Sequence, residues 1–397
     1  MFAGDDLRVA IVGAGLIGCG VAYELAKRGC AVTVYDRGEP ARAASWAGAG
    51  MLAPYSEASD DAAMLALCCE GLAVYPAFVD ELRERVGVDA HFVRGGALHV
   101  ALDAVRFAQL QALADLYRGA GAIVRLLDRV ETLAREPLIS RSVVGSLLIE
   151  DEAQVDNRRL GRALVAACEA LSVRFERIDD LAIEADARRV RGLRTARGFV
   201  YASVVINAAG AWAGNLPGVP DTARVPVRPI AGEMVALAIP NGAMRANVWL
   251  GHGYLVPRRD GRLLIGATLE ERGYDARVTA RGVHAMLDMA LAVAPALADF
   301  AVVETWAGLR PGSRTNVARR VRRCCRTLSQ RDTPHASHGA ANRGARRQRR
   351  RRKACSVRAH AEERSESASS REALAQKGSV LVRDQGCETL SSWGGTS

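Results

Sequence analysis

A chain of 397 residues, 49% of them apolar, is long enough for two domains and can bury a large core. Its net charge of +10 is uneven: residues 314–397 hold 20 Lys and Arg against 7 Asp and Glu, leaving 34 basic and 37 acidic groups on residues 1–313, a slightly acidic body with a basic tail. No run of 18 uncharged apolar residues is present, so no membrane span is expected; the nine cysteines show no C-x-x-C spacing, and in a reducing compartment buried or idle thiols are expected rather than structural disulfides or metal ligands.

Residues 8–36, RVAIVGAGLIGCGVAYELAKRGCAVTVYD, read as strand, helix, strand. Gly13, Gly15 and Gly18 give the G-x-G-x-x-G spacing at the first turn. Gly13 permits the tight turn, Gly15 lets a pyrophosphate approach the backbone, and Gly18 lets helix and strand pack closely. The helix N-terminus offers free N–H groups to phosphate. Lys27, Arg28 and Gly29 are stop signals. Asp36 closes the second strand, where an acid accepts from ribose hydroxyls; this disfavours NADP and leaves NAD and FAD open. The pattern starts within ten residues of Met1, and Met1–Leu7 is acidic, so no signal peptide and a cytoplasmic location are expected.

Residues 41–54, ARAASWAGAGMLAP, are small enough to run close beneath a flat cofactor, with Ser45, Gly48 and Gly50 among them. Helices are expected over 60–86, 104–121 and 279–294, and over Asp156–Leu171 with Asp156 or Asn157 as N-cap. Short strands are expected at 143–150, 172–177, 181–185, 190–195 and 199–202, and 204–214 reads as an apolar strand entering small residues. From 225 the pattern is mainly strand: 225–230, 233–238, 254–258 and 263–268. Arg258 and Arg259 read as hairpin-end residues. With no second G-x-G-x-x-G, the chain suits one flavin and an antiparallel substrate domain better than an NAD dehydrogenase.

These residues resemble the D-amino-acid oxidase-like FAD oxidoreductases, nearest the thiamine-pathway glycine oxidases. The resemblance is carried by the 8–36 fingerprint, AGAGML, NAAGAWAG at 207–214, GYLVPRRDGRLLIGATLE at 253–270 and WAGLRPGS at 306–313. It implies an α/β fold: a Rossmann-like, glutathione-reductase-type FAD domain from residues 1–85, 145–220 and 305–313, and an α+β substrate domain from 86–144 and 221–304 with a mainly antiparallel sheet. It implies that Arg310 binds the substrate carboxylate, with Tyr254 and His252 beside the substrate. FAD would be held by Gly13, Gly15, Gly18, Asp36, Arg37, Ser45, Gly48, Gly50, Met51, Ala209, Gly210 and Trp212. The implied reaction oxidises glycine or a small amine, with dioxygen as acceptor, to hydrogen peroxide, ammonia and glyoxylate, or supplies the imine to thiazole synthesis. D-amino-acid or sarcosine-type oxidation is the alternative within the class, and family members are often homo-oligomers.

The resemblance stops near residue 313. The apolar strand, the glycine-rich segment and the last helix of the family have no counterpart in 314–397, where HGAANRG matches only faintly. This Arg- and Ser-rich segment reads either as out-of-frame translation of a GC-rich gene or as a disordered basic tail. RRQRRRRK at 346–353 could bind nucleic acid on an inactive FAD-fold remnant, but no aromatic residue lies between Trp306 and Trp393 to stack on bases.

Overall fold

A computed structural model describes residues 7–58, 61–186 and 189–313. Every reading of segment 314–397, as tail, frame shift or nucleic-acid arm, lies outside them.

The chain opens with β1 (Arg8–Val12), α1 (Leu16–Lys27) and β2 (Ala31–Asp36). Next come α2 (Ala44–Ala47), β3 (Met51–Leu52), α3 (Pro54–Ala58) and α4 (Ala62–Val86). They are followed by β4 (Ala97–Ala101), α5 (Ala104–Gly119), β5 (Val124–Asp128), α6 (Arg129–Arg135), β6 (Gly145–Ile149), β7 (Ala153–Gln154) and α7 (Asn157–Ala170). Five short strands succeed them: β8 (Arg174–Arg177), β9 (Leu181–Ala185), β10 (Val190–Thr195), β11 (Gly198–Tyr201) and β12 (Val204–Asn207). The remainder is β13 (Val227–Ala238), β14 (Asn247–Leu250), β15 (Gly253–Pro257), β16 (Arg262–Gly266), α8 (Ala280–Val293) and β17 (Val302–Ser313).

A parallel sheet runs in the order β12-β1-β2-β8. Its central strands are apolar because both faces are covered. On one face Val9, Ile11, Val32 and Val34 pack with residues of α1, α4 and α7. On the other, Ala10, Val12 and Val205 pack with Ile183, Val190 and Leu193 of the antiparallel β11-β10-β9 sheet. The expected helix over 156–171 forms, with the Asp156 carboxylate accepting from the Arg159 N–H.

The second large sheet has eight strands, β17-β13-β16-β15-β14-β4-β6-β5. Every pair is antiparallel except β14 with β4. One face packs on α8 through Val235, Leu237, Leu255 and Ile265. The opposite face packs on α5 and on the 47–55 segment.

Three local expectations change. The strands at 225–230 and 233–238 are one, because Ala231 and Gly232 stay in register with Leu309 and Gly308; cross-strand pairing outweighs the local glycine. Helix α4 is long and apolar enough, by length and composition, to cross a membrane, so the missing uncharged run did not by itself exclude a span. Its Val79 and Leu82 are buried in the core shared with α1 and α7.

Arg258 is the third. It is not a surface hairpin residue but is 7% exposed. Nη1 donates to Gln154 Oε1 (3.1 Å) and the Val155 carbonyl (2.7 Å), and Nη2 donates to the Ala49 carbonyl (2.7 Å) and Asn157 Oδ1 (2.9 Å). Its neighbour Arg259 stays exposed beside Asp89. Arg258→Ala leaves these buried acceptors unmatched and is expected to cost about 3 kcal/mol or more. Urea unfolding would show this as a lower midpoint at unchanged slope.

Candidate active site

The turn from β1 into α1 is shaped for close backbone approach. Gly13 has φ +108°, and a Cβ there would lie 2.2 Å from the Ala208 carbonyl oxygen. A Cβ on Gly18 would lie 1.8 Å from the Gly13 carbonyl oxygen. Gly15 is the N-cap of α1, with no acid in the first turn, and the Leu16 N–H donates to Ser45 Oγ at 2.9 Å. Asp36 Oδ2 accepts from the Ala14 N–H (2.7 Å) and Oδ1 from the Gly38 N–H (2.8 Å). Beside it a cavity of about 200 Å³ is lined by Ala14, Asp36, Gly38 and Phe175.

The remaining cofactor candidates follow this turn. Arg37 stacks its guanidinium 3.8 Å from the Trp212 ring centroid, and Trp212 stacks on Tyr274. Ala209 and Gly210 lead into the 3₁₀ turn that carries Trp212, with Gly210 at φ +53°. Gly48 ends α2. Gly50 has φ +65°, and a Cβ there would come 2.1 Å from the Val155 carbonyl oxygen, so glycine is required. Met51 pairs with Gln154 and packs against the face of the large sheet. These residues fit a dinucleotide: a backbone cradle at a helix N-terminus, an acid at the end of the second strand, and a small-residue segment continuing from the cradle.

The sheet beyond that segment presents a single cross-strand row. Trp306, Met234, Gly266, Tyr254, Trp249 and His99 stand side by side on β17, β13, β16, β15, β14 and β4. Paired residues share a face, and Trp306, Met234, Tyr254 and Trp249 are buried in one cluster with Ala47 and Tyr55. A Cβ on Gly266 would meet Met234 Sδ at 2.2 Å, so glycine gives the neighbouring side chains room. Trp306 Nε1 donates to the Ala47 carbonyl at 2.9 Å, tying β17 to the cofactor segment.

Arg310 lies four residues after Trp306 on β17, hence on the same face. Its guanidinium faces the Tyr254 hydroxyl, which also contacts Met234 Sδ at 3.5 Å. Burial pushes the Tyr254 phenol up to about 12, with the Arg310 charge pulling the other way. Arg310 also acts on Glu57, the fourth residue of α3. Glu57 is exposed on one side, yet the surrounding protein pushes its carboxyl above the usual range while Arg310 draws it down. His252 sits exposed in the turn between β14 and β15.

Sequence reasoning brought Arg310 and Tyr254 together and missed Glu57, along with the half-buried Ser56 and the buried His99 and Glu152 behind it. Only the acid in the short PYSEA stretch after the glycine-rich segment could have signalled Glu57. Among the described residues no cluster of His, Cys, Asp or Glu could hold a metal, and none of their cysteines is in a disulfide.

This geometry is that of a flavin oxidoreductase. The FAD dependent oxidoreductase (DAO) family matches residues 8–340, and the chain belongs to that family. It is 35% identical to glycine oxidase from Geobacillus kaustophilus over 306 residues, 76% of this chain and 81% of the relative. It is 35% identical to glycine oxidase from Pseudomonas aeruginosa, over 77% of this chain and 83% of that one. The bifunctional ThiO/ThiG protein of Trichormus variabilis is 32% identical over 77% of this chain, which spans 46% of that longer protein. The crystal structure of the Geobacillus enzyme superposes with a TM-score of 0.73, covering 78% of this chain and 84% of that one. Iminodiacetate oxidase from Chelativorans sp. gives 0.70 at 30% identity, covering 78% of this chain and 84% of that chain. The protein is an FAD-dependent amino-acid oxidase.

Asp36→Ala is expected to weaken FAD binding roughly 10- to 100-fold, through loss of a charged acceptor and of the Ala14 and Gly38 contacts. Titration of the purified chain with FAD, read by flavin fluorescence, would measure it.

Proposed function

We propose that the protein oxidises glycine or a similarly small amino acid to the imine, which hydrolyses to glyoxylate and ammonia, with dioxygen as acceptor. The observation that carries this reading is the place of Arg310 on the Trp306 face of β17, where its charge acts on both the Tyr254 hydroxyl and the Glu57 carboxyl. A small zwitterion presents a carboxylate and an ammonium a few ångströms apart, complementary to such a pair. Arg310 offers a planar, two-pronged grip on the carboxylate. Glu57 faces the ammonium, and its raised affinity for protons suits it to accept one before the amine is oxidised. FAD, when bound along 13–18 and 45–51, supplies the two-electron chemistry. The wall of Tyr254, Trp249 and Met234 orients the Cα and excludes water.

The buried aromatic wall favours a small side chain. Likeness to iminodiacetate oxidase supports a second reading, in which a secondary amine of the sarcosine type is the better substrate. Resemblance to the thiamine-pathway glycine oxidases supports a role in thiazole supply, and with it a cytoplasmic site of action.

The full chain, purified with FAD, is expected to show a yellow flavin spectrum that glycine bleaches without oxygen and that returns with peroxide when air is admitted. Faster bleaching by sarcosine or D-alanine would assign the alternative substrate. A flavin that no amino acid reduces would overturn the reading.

Arg310→Met is expected to raise KM for glycine by roughly 30-fold or more, because one partner of a charge pair is removed, with the flavin spectrum retained. Steady-state peroxide assays of the holoenzyme would show it.

A further inference from the structure

Behind the wall lies a buried hydrogen-bonded chain that the oxidation itself does not use. Glu152, in the turn before β7, is fully buried. Its Oε1 accepts from the N–H groups of Tyr55 (2.9 Å) and Ser56 (2.8 Å), and its Oε2 from Ser56 Oγ (2.7 Å). Ser56 Oγ also meets His99 Nε2 at 2.8 Å. His99 is buried on β4 and stacks flat on Trp249, with centroids 5.6 Å apart. Trp249 in turn sets its ring at 65° to Tyr254, 5.3 Å away. One end of the chain therefore grips the start of α3, the helix that carries Glu57. The other end rests against the ring beside Tyr254.

The proton count of this chain allows two registers. Ser56 has one hydroxyl proton. When Glu152 is ionised, that proton goes to Oε2, and His99 must donate from Nε2 to Ser56 Oγ. When Glu152 is protonated, its O–H donates to Ser56 Oγ, the hydroxyl turns to His99, and the imidazole proton resides on Nδ1. The net change is one proton gained at Glu152 and a change of imidazole tautomer.

We propose that Glu152 is a positioning residue for the oxidase reaction: ionised, it holds α3 by the Tyr55 and Ser56 amides and keeps Glu57 facing Arg310, and protonated, it relaxes that hold. This rests on the proposed amino-acid oxidation. Burial pushes the Glu152 carboxyl up to about 7 against the pull of its N–H and O–H donors, and burial drives the His99 imidazole down to about 3. The exchangeable proton near neutrality is therefore that of Glu152, while His99 stays neutral. The groups facing the chain are Glu57 on α3, Tyr55 with Cys69 of α4, Asp151 beside Glu152, and Arg106 of α5 acting on His99. Glu57 repels the Glu152 charge, so an ammonium paired with Glu57 lowers the proton affinity of Glu152, and ionised Glu152 by reciprocity favours ammonium binding.

The test uses the full-length holoenzyme and Glu152→Gln, in which the amide carbonyl keeps the two backbone contacts and the NH₂ group imposes the protonated register. Expected for the unaltered enzyme is a limb in kcat/KM for glycine near pH 7, with activity present above it and falling below. Glu152→Gln is expected to remove that limb, raise KM at pH 8 about tenfold and change kcat by less than threefold, with the flavin spectrum retained. Ser56→Ala, which leaves the amide contacts, is expected to shift the limb and serves if the first variant does not fold. Retention of the limb and of KM in both variants would overturn the proposal, as would a limb removed by Glu57→Gln but not by Glu152→Gln. A second measurement needs no turnover: the ¹⁵N resonances of His99 should pass from the Nε2–H to the Nδ1–H tautomer as pH falls through 7, and not in Ser56→Ala. A single tautomer from pH 5.5 to 8.5 would refute the two registers even if no amino acid reduced the flavin.

Discussion

The guanidinium of Arg258 gathers separate parts of the chain around one buried cation. It leaves the end of β15 in the large sheet and binds Ala49 in the cofactor segment, Gln154 and Val155 at β7, and Asn157 at the start of α7. Asn157 completes the knot by donating to the carbonyls of Ser45 and Trp46. A planar cation with several fixed donors is suited to collecting carbonyls from separate segments. Removing it would leave acceptors buried without water, which is why such a residue stabilises the arrangement far more by its presence than a surface pair does. Arg158 reinforces the junction from the other side, bonded bidentately to Glu304 and stacked 3.6 Å over the Trp46 ring and 4.7 Å from that of Trp306.

Once the cofactor segment is held, the register of the large sheet determines what faces it. A slip of one residue in β15 would turn Tyr254 away and present Gly253 or Leu255 instead. The pairing that forbids the slip is distributed over six strands, from Trp306 through Met234, Gly266, Tyr254 and Trp249 to His99. Arg310 inherits its position from the same register, because it follows Trp306 at an even spacing on β17. The wall and the cation are thus two consequences of one strand alignment.

Charge is placed with similar economy. Glu57 and Arg310 come from a five-residue helix and a twelve-residue strand far apart in sequence, and each alters the field at the other. The short helix has too few internal hydrogen bonds to define its own position. Glu152 supplies the missing definition from behind, by binding the first amide groups of α3. The buried Glu152 therefore meets the segment that carries Glu57 through its backbone amides.

Much of this was legible in the chain alone. The strand-helix-strand unit with Gly13, Gly15, Gly18 and Asp36 is local, since a dinucleotide turn is specified by backbone freedom and hydrogen-bonding groups within 30 residues, and the motifs around Tyr254 and Arg310 identified the family. Helix boundaries such as Asp156 at the cap of α7 were readable for the same reason. The continuous β13 was not, because a glycine break is cancelled only by a partner strand about 75 residues away. Nor was the burial of Arg258, since an arginine before Asp260-Gly261 has the local signature of an exposed hairpin. The acid near Arg310 and the Glu152–Ser56–His99 chain were decided by tertiary structure alone: the members of that chain lie up to 96 residues apart, and only packing brings a carboxylate, a hydroxyl and an imidazole to hydrogen-bonding distance.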